Sequence, residues 1–320
     1  MAFLGRTGLP VSHLGLGLAA LGRPGYINLG HGDDLDHDYD LAAMQAATFA
    51  VLDAAHAAGV RYIDAARSYG RAEDFLSAWL ASRGHPPGSI TIGSKWGYAY
   101  TAAWRVDAER HEVKDHSRAV FERQLAESRA LLGAHLQLHQ IHSATLESGI
   151  LDDTDTLRAL AAARDQGLAI GLTLSGPRQS ETLRRALAVR IGGAPLFAAV
   201  QATWNLLERS AGAALGEAHA AGVGVIVKEA LANGRLTARN PALAPPLAGA
   251  ATRLGTTPDA VALAAALSQP WADVVLSGAV TVVQLQSNLA ALEISLDDDF
   301  HALAEAPDRY WSTRAALPWN

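Results

Sequence analysis

Short runs of apolar residues alternate with longer segments of helical periodicity along most of the chain. The apolar runs are residues 14–18, 60–63, 89–95, 136–142, 168–174, 197–201, 223–227 and 273–276. The helical segments are residues 41–58, 72–83, 117–132, 152–166, 178–188, 210–221, 257–267 and 281–292. Glycine or proline separates many of them, as expected where elements end. Eight βα units predict one (β/α)8 TIM-barrel domain over residues 1–320.

The residues before the first core strand predict a short β-hairpin. Apolar positions at 3–4 and 11–13 flank a turn rich in glycine and proline. Such a hairpin is expected to close the bottom of the barrel. The alternative architecture is a doubly wound open sheet, which usually carries a glycine-rich phosphate turn in its first βα unit. Gly15 and Gly17 match that fingerprint only in part.

Composition favours a small molecule as the partner. The net charge of −6 and the pI of about 6.0 give no basic surface for nucleic acid or an anionic membrane. The absence of cysteine excludes disulfides, thiolate nucleophiles, Fe–S clusters and cysteine-based zinc sites. The apolar N-terminus is interrupted by Arg6, Pro10 and His13, so we interpret it as part of the fold and expect a cytoplasmic protein.

A glycine-rich loop at residues 22–40 carries a run of aspartates together with His31 and His37. Carboxylates and imidazoles are suitable metal ligands, but their spacing here matches no EF-hand loop. Acidic residues are also stabilised at the N-terminus of a helix. We favour the second interpretation, a solvated loop that leads to a helix, and predict no metal site.

Ionisable residues follow successive predicted strands. Asp64 ends the first such strand, Tyr69 lies in the loop after it, and Lys95 and His142 end the next two. Only three of the 26 basic residues are lysines, so a lysine at a strand end is notable. Because barrel strands end at one face, these side chains are expected to meet and form a proton-transfer set.

In this order, the four residues resemble those of the aldo-keto reductase superfamily. The resemblance covers nearly the whole chain and includes GVRYIDAARSYG at 59–70, QIH ending at His142, VQATWN at 200–205 and SGAVTVVQLQSN at 277–288. It implies that Tyr69 protonates a carbonyl oxygen while a nicotinamide cofactor gives a hydride to the carbon. Lys95, paired with Asp64, would lower the Tyr69 pKa, and His142 would orient the carbonyl.

The resemblance also implies residues at the nicotinamide end of a cofactor site. Ser175 and Gln201 match residues that hold the carboxamide, although Gly176 stands where the family has an asparagine. Trp204 would stack on the nicotinamide ring, and the alternative for it is ordinary core packing.

Further residues match the phosphate and adenosine end. Ser277 and Gly278 resemble the phosphate loop, and Gln284 and Asn288 face the adenosine. A glutamine at 284 replaces the arginine that often pairs with the 2′-phosphate, so the choice between NADP(H) and NAD(H) stays open. Lys228 is expected either to approach phosphate or to pair with its neighbouring glutamate.

The predicted function is reversible NAD(P)-dependent reduction of an aldehyde, ketone or aldose. One alternative is a regulatory barrel that retains cofactor with little turnover, and another is a metal-dependent hydrolase that uses the acidic loop. Aromatic residues at 96, 310, 311 and 319 are expected either to line the substrate pocket or to pack on the barrel wall. Substrate identity and oligomeric state depend on loops and surfaces that sequence patterns do not specify.

Overall fold

The computed structural model describes residues 2–297 and 300–320. Its strands are β1 Ala2–Phe3, β2 Pro10–Val11, β3 Leu14–Gly17, β4 Tyr62–Asp64, β5 Thr91–Trp96, β6 Tyr98–Tyr100, β7 Glu112–Lys114, β8 Leu136–Ala144, β9 Ala169–Leu174, β10 Arg190–Ile191, β11 Ala194–Pro195, β12 Ala199–Thr203, β13 Gly224–Lys228 and β14 Val274–Ser277. Its α-helices are α1 His31–Asp34, α2 Leu41–Ala57, α3 Ala72–Arg83, α4 Arg118–Leu132, α5 Thr154–Asp165, α6 Gln179–Leu187, α7 Gly212–Ala220, α8 Pro245–Leu254, α9 Pro258–Leu267, α10 Val282–Leu289 and α11 Pro307–Ala315.

Eight parallel strands form a closed barrel in the order β3, β4, β5, β8, β9, β12, β13 and β14, with β14 pairing back onto β3. This confirms the predicted (β/α)8 TIM barrel. The strand register places Asp64 opposite Gly93 and Lys95 opposite Gln140. Both charged side chains therefore lie near the same end of the barrel. All strands end at the same face, where the loops after them build the site.

The N-terminal hairpin of β1 and β2 is also confirmed, and it closes the bottom of the barrel. Leu4 and Val11 are fully buried against inward-facing Tyr62 and Ile226. Leu4 approaches the backbone of β13 so closely that a Cβ on Gly224 would lie 2.5 Å from its side chain. Only glycine leaves room for the hairpin at this point.

All eight predicted helices are present, and side-chain caps explain where several of them begin. Asp40 accepts hydrogen bonds from the backbone amides of Ala42 and Ala43, so the acidic loop leads to the N-terminus of α2 as expected. In the described ranges, no group of three or more acidic or histidine side chains is arranged to hold a metal ion. Within the same ranges, no helix has the length and apolarity needed to cross a membrane.

Some elements differ from the sequence-based expectations. Residues 245–254 form helix α8, which is not among the predicted segments, and proline at the first helical position is compatible with a helix. Strands β6 and β7 form a hairpin within the long connection after β5. Residues 307–315 form α11, whose Tyr310 and Trp311 are buried in one apolar cluster with residues of α8 and α9.

One buried histidine in β8 makes a pH-dependent contribution to stability. His139 is fully buried, neither ring nitrogen has a hydrogen-bond partner among the described residues, and burial lowers its pKa to about 3. In the unfolded chain the histidine pKa is about 6.5. Between that pH and the folded pKa, the unfolded chain therefore binds a proton on this residue and the folded chain does not. Stability therefore falls as pH drops from about 6.5 towards the folded pKa, by about 1.4 kcal/mol per pH unit for this residue.

We expect His139→Leu to reduce that acid dependence. Urea unfolding at pH 7.5 and pH 5 would show a smaller loss of stability at pH 5 in the variant than in the wild type. His37→Leu, at an exposed position, is the matched control. Equal pH dependence in His139→Leu and wild type would contradict the assignment.

Candidate active site

A buried ion pair lies at the centre of the loop-side face. Asp64 ends β4 and Lys95 precedes the last residue of β5, and their exposed fractions are 2% and 1%. Lys95 Nζ donates to Asp64 Oδ2 and to the Ala65 carbonyl at 2.9 Å. Burial lowers the pKa of Lys95, and the Asp64 carboxylate opposes that shift. The two charges compensate each other inside the barrel.

Neutral donors from three strands complete the coordination of Asp64. Its Oδ1 accepts from Gln201 Nε2 at 2.9 Å and from Tyr62 OH and Gln140 Nε2, each at 3.3 Å. The amide nitrogen of Gln201 donates to Asp64, and its expected contact with a nicotinamide carboxamide stays a prediction. Gln201 nevertheless lines the cleft described below.

Tyr69 lies above this pair in the loop between β4 and α3. Lys95 Nζ is 4.6 Å from the centre of its ring, and Arg23 Cζ is 5.2 Å from the same point. Burial and the Asp64 carboxylate raise the pKa of the Tyr69 phenol well above its ordinary value, and Arg23 opposes them. The net shift is upward, and the expected lowering of the Tyr69 pKa by Lys95 stays a prediction.

Two glycines let the loop that carries Arg23 approach Tyr69. A Cβ on Gly70 would lie 2.4 Å from the Gly22 carbonyl oxygen, and a Cβ on Gly22 would lie 2.3 Å from the Tyr69 carbonyl oxygen. The Gly22 carbonyl accepts from the Arg71 amide at 2.7 Å. Side chains at either glycine would separate the two loops and move Arg23 away from the phenol.

His142 lies beside Tyr69 near the end of β8. Their rings meet edge to face, with centres 5.4 Å apart, and His142 Nδ1 is 3.3 Å from Ser68 Oγ. The pairing of β8 with β9 shifts register here, and Ser143 has a φ of 57°, a local irregularity that redirects side chains. Burial, with Lys95 nearby, lowers the pKa of His142 well below its ordinary value, so the imidazole is neutral.

A cleft of about 500 Å³ opens above these groups. The residues predicted for the site that line it are Asp64, Tyr69, His142, Gln201, Lys228, Ser277, Gly278, Gln284 and Asn288. Lys95 lies beneath the floor. Ser175 and Trp204 do not line the cleft. The Trp204 ring packs edge to face on Trp271, with centres 5.7 Å apart, as a core residue would.

Side chains after β14 hold one wall of the cleft in shape. Asn288 Nδ2 donates to Ser277 Oγ at 2.8 Å, and Gln284 Oε1 accepts from the Val280 amide at 2.9 Å. A Cβ on Gly278 would meet no atom within 4 Å. On the loop after β13, Asn233 Oδ1 is buried and has no partner among the described residues, so a ligand donor would satisfy it.

Comparisons with known proteins show the family of this chain. A sequence model of the Aldo/keto reductase family matches residues 14–308. The chain belongs to the aldo/keto reductase family. Members of this family carry out NAD(P)H-dependent carbonyl reduction, so the protein is of an oxidoreductase class. None of the curated proteins searched matches the chain significantly.

Solved structures of aldo-keto reductases share the barrel. PA4992 from Pseudomonas aeruginosa, assigned to the aldo-keto reductases, is 26% identical with a TM-score of 0.63, and the match covers 91% of this chain and 94% of that one. AKR11C1 from Bacillus halodurans, in its holo form, is 19% identical with a TM-score of 0.68, covering 98% and 95%. The second likeness concerns the fold alone.

In this aldo-keto reductase, Lys228 lies at the end of β13 and faces the cleft. Its Nζ donates to Thr203 Oγ1 at 2.7 Å and lies 3.7 Å from Glu229 Oε1. Burial lowers its pKa to about 8, although Glu229 opposes the shift. The pairing with glutamate that was one of two expectations is therefore present. An approach to phosphate stays a prediction.

Two arginine–glutamate ion pairs in the cleft were not predicted from the sequence. Arg23 Nη1 donates to Glu112 Oε2 at 2.9 Å, and Arg314 Nε donates to Glu229 Oε1 at 2.9 Å. All four side chains line the cleft, together with Trp319. The partners come from segments far apart in the chain, so no local spacing marks them. Their only sequence signal is a position in loops expected to shape the substrate pocket.

Proposed function

We propose that this protein transfers a hydride between NADP(H) or NAD(H) and an aldehyde, ketone or aldose, with Tyr69 as the general acid and base. The observation that carries the proposal is the position of Tyr69 on the cleft wall, above the Lys95–Asp64 pair and beside neutral His142. This combination of a phenol, a compensated ammonium and an imidazole suits proton transfer to a carbonyl oxygen.

The cleft offers groups that fit a nicotinamide dinucleotide. The residues that would hold it are Gln201, Lys228, Ser277, Gly278, Gln284 and Asn288, all of which line the cleft. The unpartnered Asn233 oxygen and the open space beside Gly278 leave polar and steric room for such a ligand. When bound, the dinucleotide supplies or accepts the hydride. Ser175 and Trp204 have no part in the proposal, because neither lines the cleft.

The side chains of the protein hold the transferred proton before the reaction and stabilise the charge that forms when it leaves. A raised pKa keeps the Tyr69 phenol protonated, as a proton donor must be before the reaction. As the proton leaves, the developing phenolate lies between Lys95 and Arg23, whose charges favour it. Neutral His142 lines the cleft beside the phenol and would hydrogen-bond the carbonyl, which fixes the orientation of the substrate.

Parallel fluorescence titrations with NADPH and NADH, followed by turnover of an aldehyde, ketone and aldose panel, test the proposal. We expect saturable binding of at least one dinucleotide and turnover that a chelator does not change. The ratio of the two affinities gives the preference between NADP(H) and NAD(H) that the glutamine at position 284 leaves open. Binding without turnover would favour a regulatory barrel, and absence of binding by both dinucleotides would overturn the oxidoreductase proposal.

A further inference from the structure

The cleft wall next to Tyr69 contains a partly buried ion pair between two segments that are distant in the chain. Arg23 follows β3 and is only 3% exposed, and Glu112 begins β7. Arg23 Nη1 donates to Glu112 Oε2 at 2.9 Å and to the Ser68 carbonyl at 3.2 Å. Both side chains line the same cleft as the phenol. A ligand that reaches Tyr69 therefore passes beside a matched cation and anion.

Aromatic rings hold the guanidinium in place. Arg23 Cζ lies 4.8 Å from the centre of the Trp319 ring and 5.2 Å from the centres of the Tyr69 and Tyr26 rings. Trp319 is itself stacked on His111, with ring centres 3.9 Å apart and an interplanar angle of 6°. The position of the charge is therefore fixed before a substrate arrives, which lowers the entropic cost of binding.

The pair retains hydrogen-bonding capacity. Arg23 Nε is buried without a partner among the described residues, and within the same residues both hydrogen bonds of this guanidinium are made by Nη1. Glu112 uses Oε2 for Arg23, and no described side chain donates to its Oε1. Arg23 Nη2 and Glu112 Oε1 therefore have no hydrogen-bond partner among the described residues, and both side chains line the cleft.

We infer that the Arg23–Glu112 pair selects the substrate, favouring neutral carbonyl compounds with hydroxyl groups near the reacting carbon and rejecting carboxylated compounds of similar size. This inference rests on the proposed function. A hydroxyl group both accepts and donates, so it can bind the guanidinium and the carboxylate at once. A ligand carboxylate can only accept hydrogen bonds, and the Glu112 carboxylate repels it. An alkyl chain removes water from both ions and offers neither of them a hydrogen bond.

Removing the Glu112 charge while keeping its shape tests the inference. Wild type, Glu112→Gln and Glu112→Asp would be assayed with the preferred dinucleotide against glyceraldehyde, propanal and succinic semialdehyde. In Glu112→Gln we expect kcat/KM for glyceraldehyde to fall about 10- to 100-fold, mainly through KM, as for loss of a hydrogen bond to a charged group. Succinic semialdehyde should gain about tenfold or more, because Arg23 is then unpaired, and propanal should change little.

Two controls separate selection from structural damage. Glu305→Gln removes a comparable, partly buried ion pair with Arg235 that does not line the cleft. This variant should leave kcat/KM unchanged for all three substrates. Glu112→Asp retains the charge and should continue to reject succinic semialdehyde. If the ratio of glyceraldehyde to succinic semialdehyde is the same in wild type and Glu112→Gln, the inference is wrong although the proposed function stands. If wild type turns over no carbonyl compound with either dinucleotide, the proposed function itself fails.

Discussion

Tyr69→Phe is expected to lower kcat about 10³-fold and to leave dinucleotide affinity unchanged. The substitution removes only the hydroxyl that is proposed to give the proton. The ring remains between Lys95 and Arg23, so the cleft keeps its shape and its charges. A loss in kcat without a change in binding is the signature of a group that acts in the transition state.

Stopped-flow single turnovers and fluorescence titration of the same samples would measure the two effects. Tyr100→Phe is a matched control, since its hydroxyl is buried and does not line the cleft. Activity of Tyr69→Phe within threefold of wild type would remove Tyr69 from the proposed mechanism. A parallel loss in Tyr100→Phe would indicate a general effect of losing a phenol rather than a role for Tyr69.

Lys95→Met is expected to destabilise the protein by about 3–5 kcal/mol, besides lowering activity. It leaves the Asp64 carboxylate buried with neutral donors and the remaining protein dipoles, but without the ammonium that compensates its charge. Removing one member of a buried ion pair lowers the free energy of unfolding more than removing one member of an exposed pair. The reason is that the remaining buried charge cannot be hydrated. Urea unfolding at neutral pH measures this difference.

A double-mutant cycle with Asp64→Asn tests the physical reason. Asp64→Asn removes the charge that Lys95→Met leaves uncompensated, so the double variant should recover part of the stability lost by Lys95→Met. Additive losses from the two single substitutions would contradict a coupled buried pair. Both variants should lose turnover, since either change alters the charges beneath Tyr69.

The barrel and the position of the catalytic candidates were predictable from the sequence. Alternation of short apolar runs with helical segments is a local property, and a closed parallel barrel directs the carboxyl end of every strand to one face. Asp64 and Lys95 lie within or at the end of strands, so their positions followed from the strand pattern and the pairing register. Tyr69 and His142 followed because they lie within a few residues of such ends.

The side chains that complete the site depended on the tertiary structure. Trp204 comes directly after β12, yet its ring packs on Trp271 outside the cleft, because a side chain beyond a strand end is directed by loop conformation and neighbouring helices. Arg23 and Glu112 lie 89 residues apart, and they meet because the loop after β3 and the β6–β7 hairpin converge over the barrel. Strand and helix periodicity are encoded by near neighbours in sequence. Ion pairs and ring contacts between loops depend on long-range packing. The residues that meet are not neighbours in the sequence, so no local pattern predicts them.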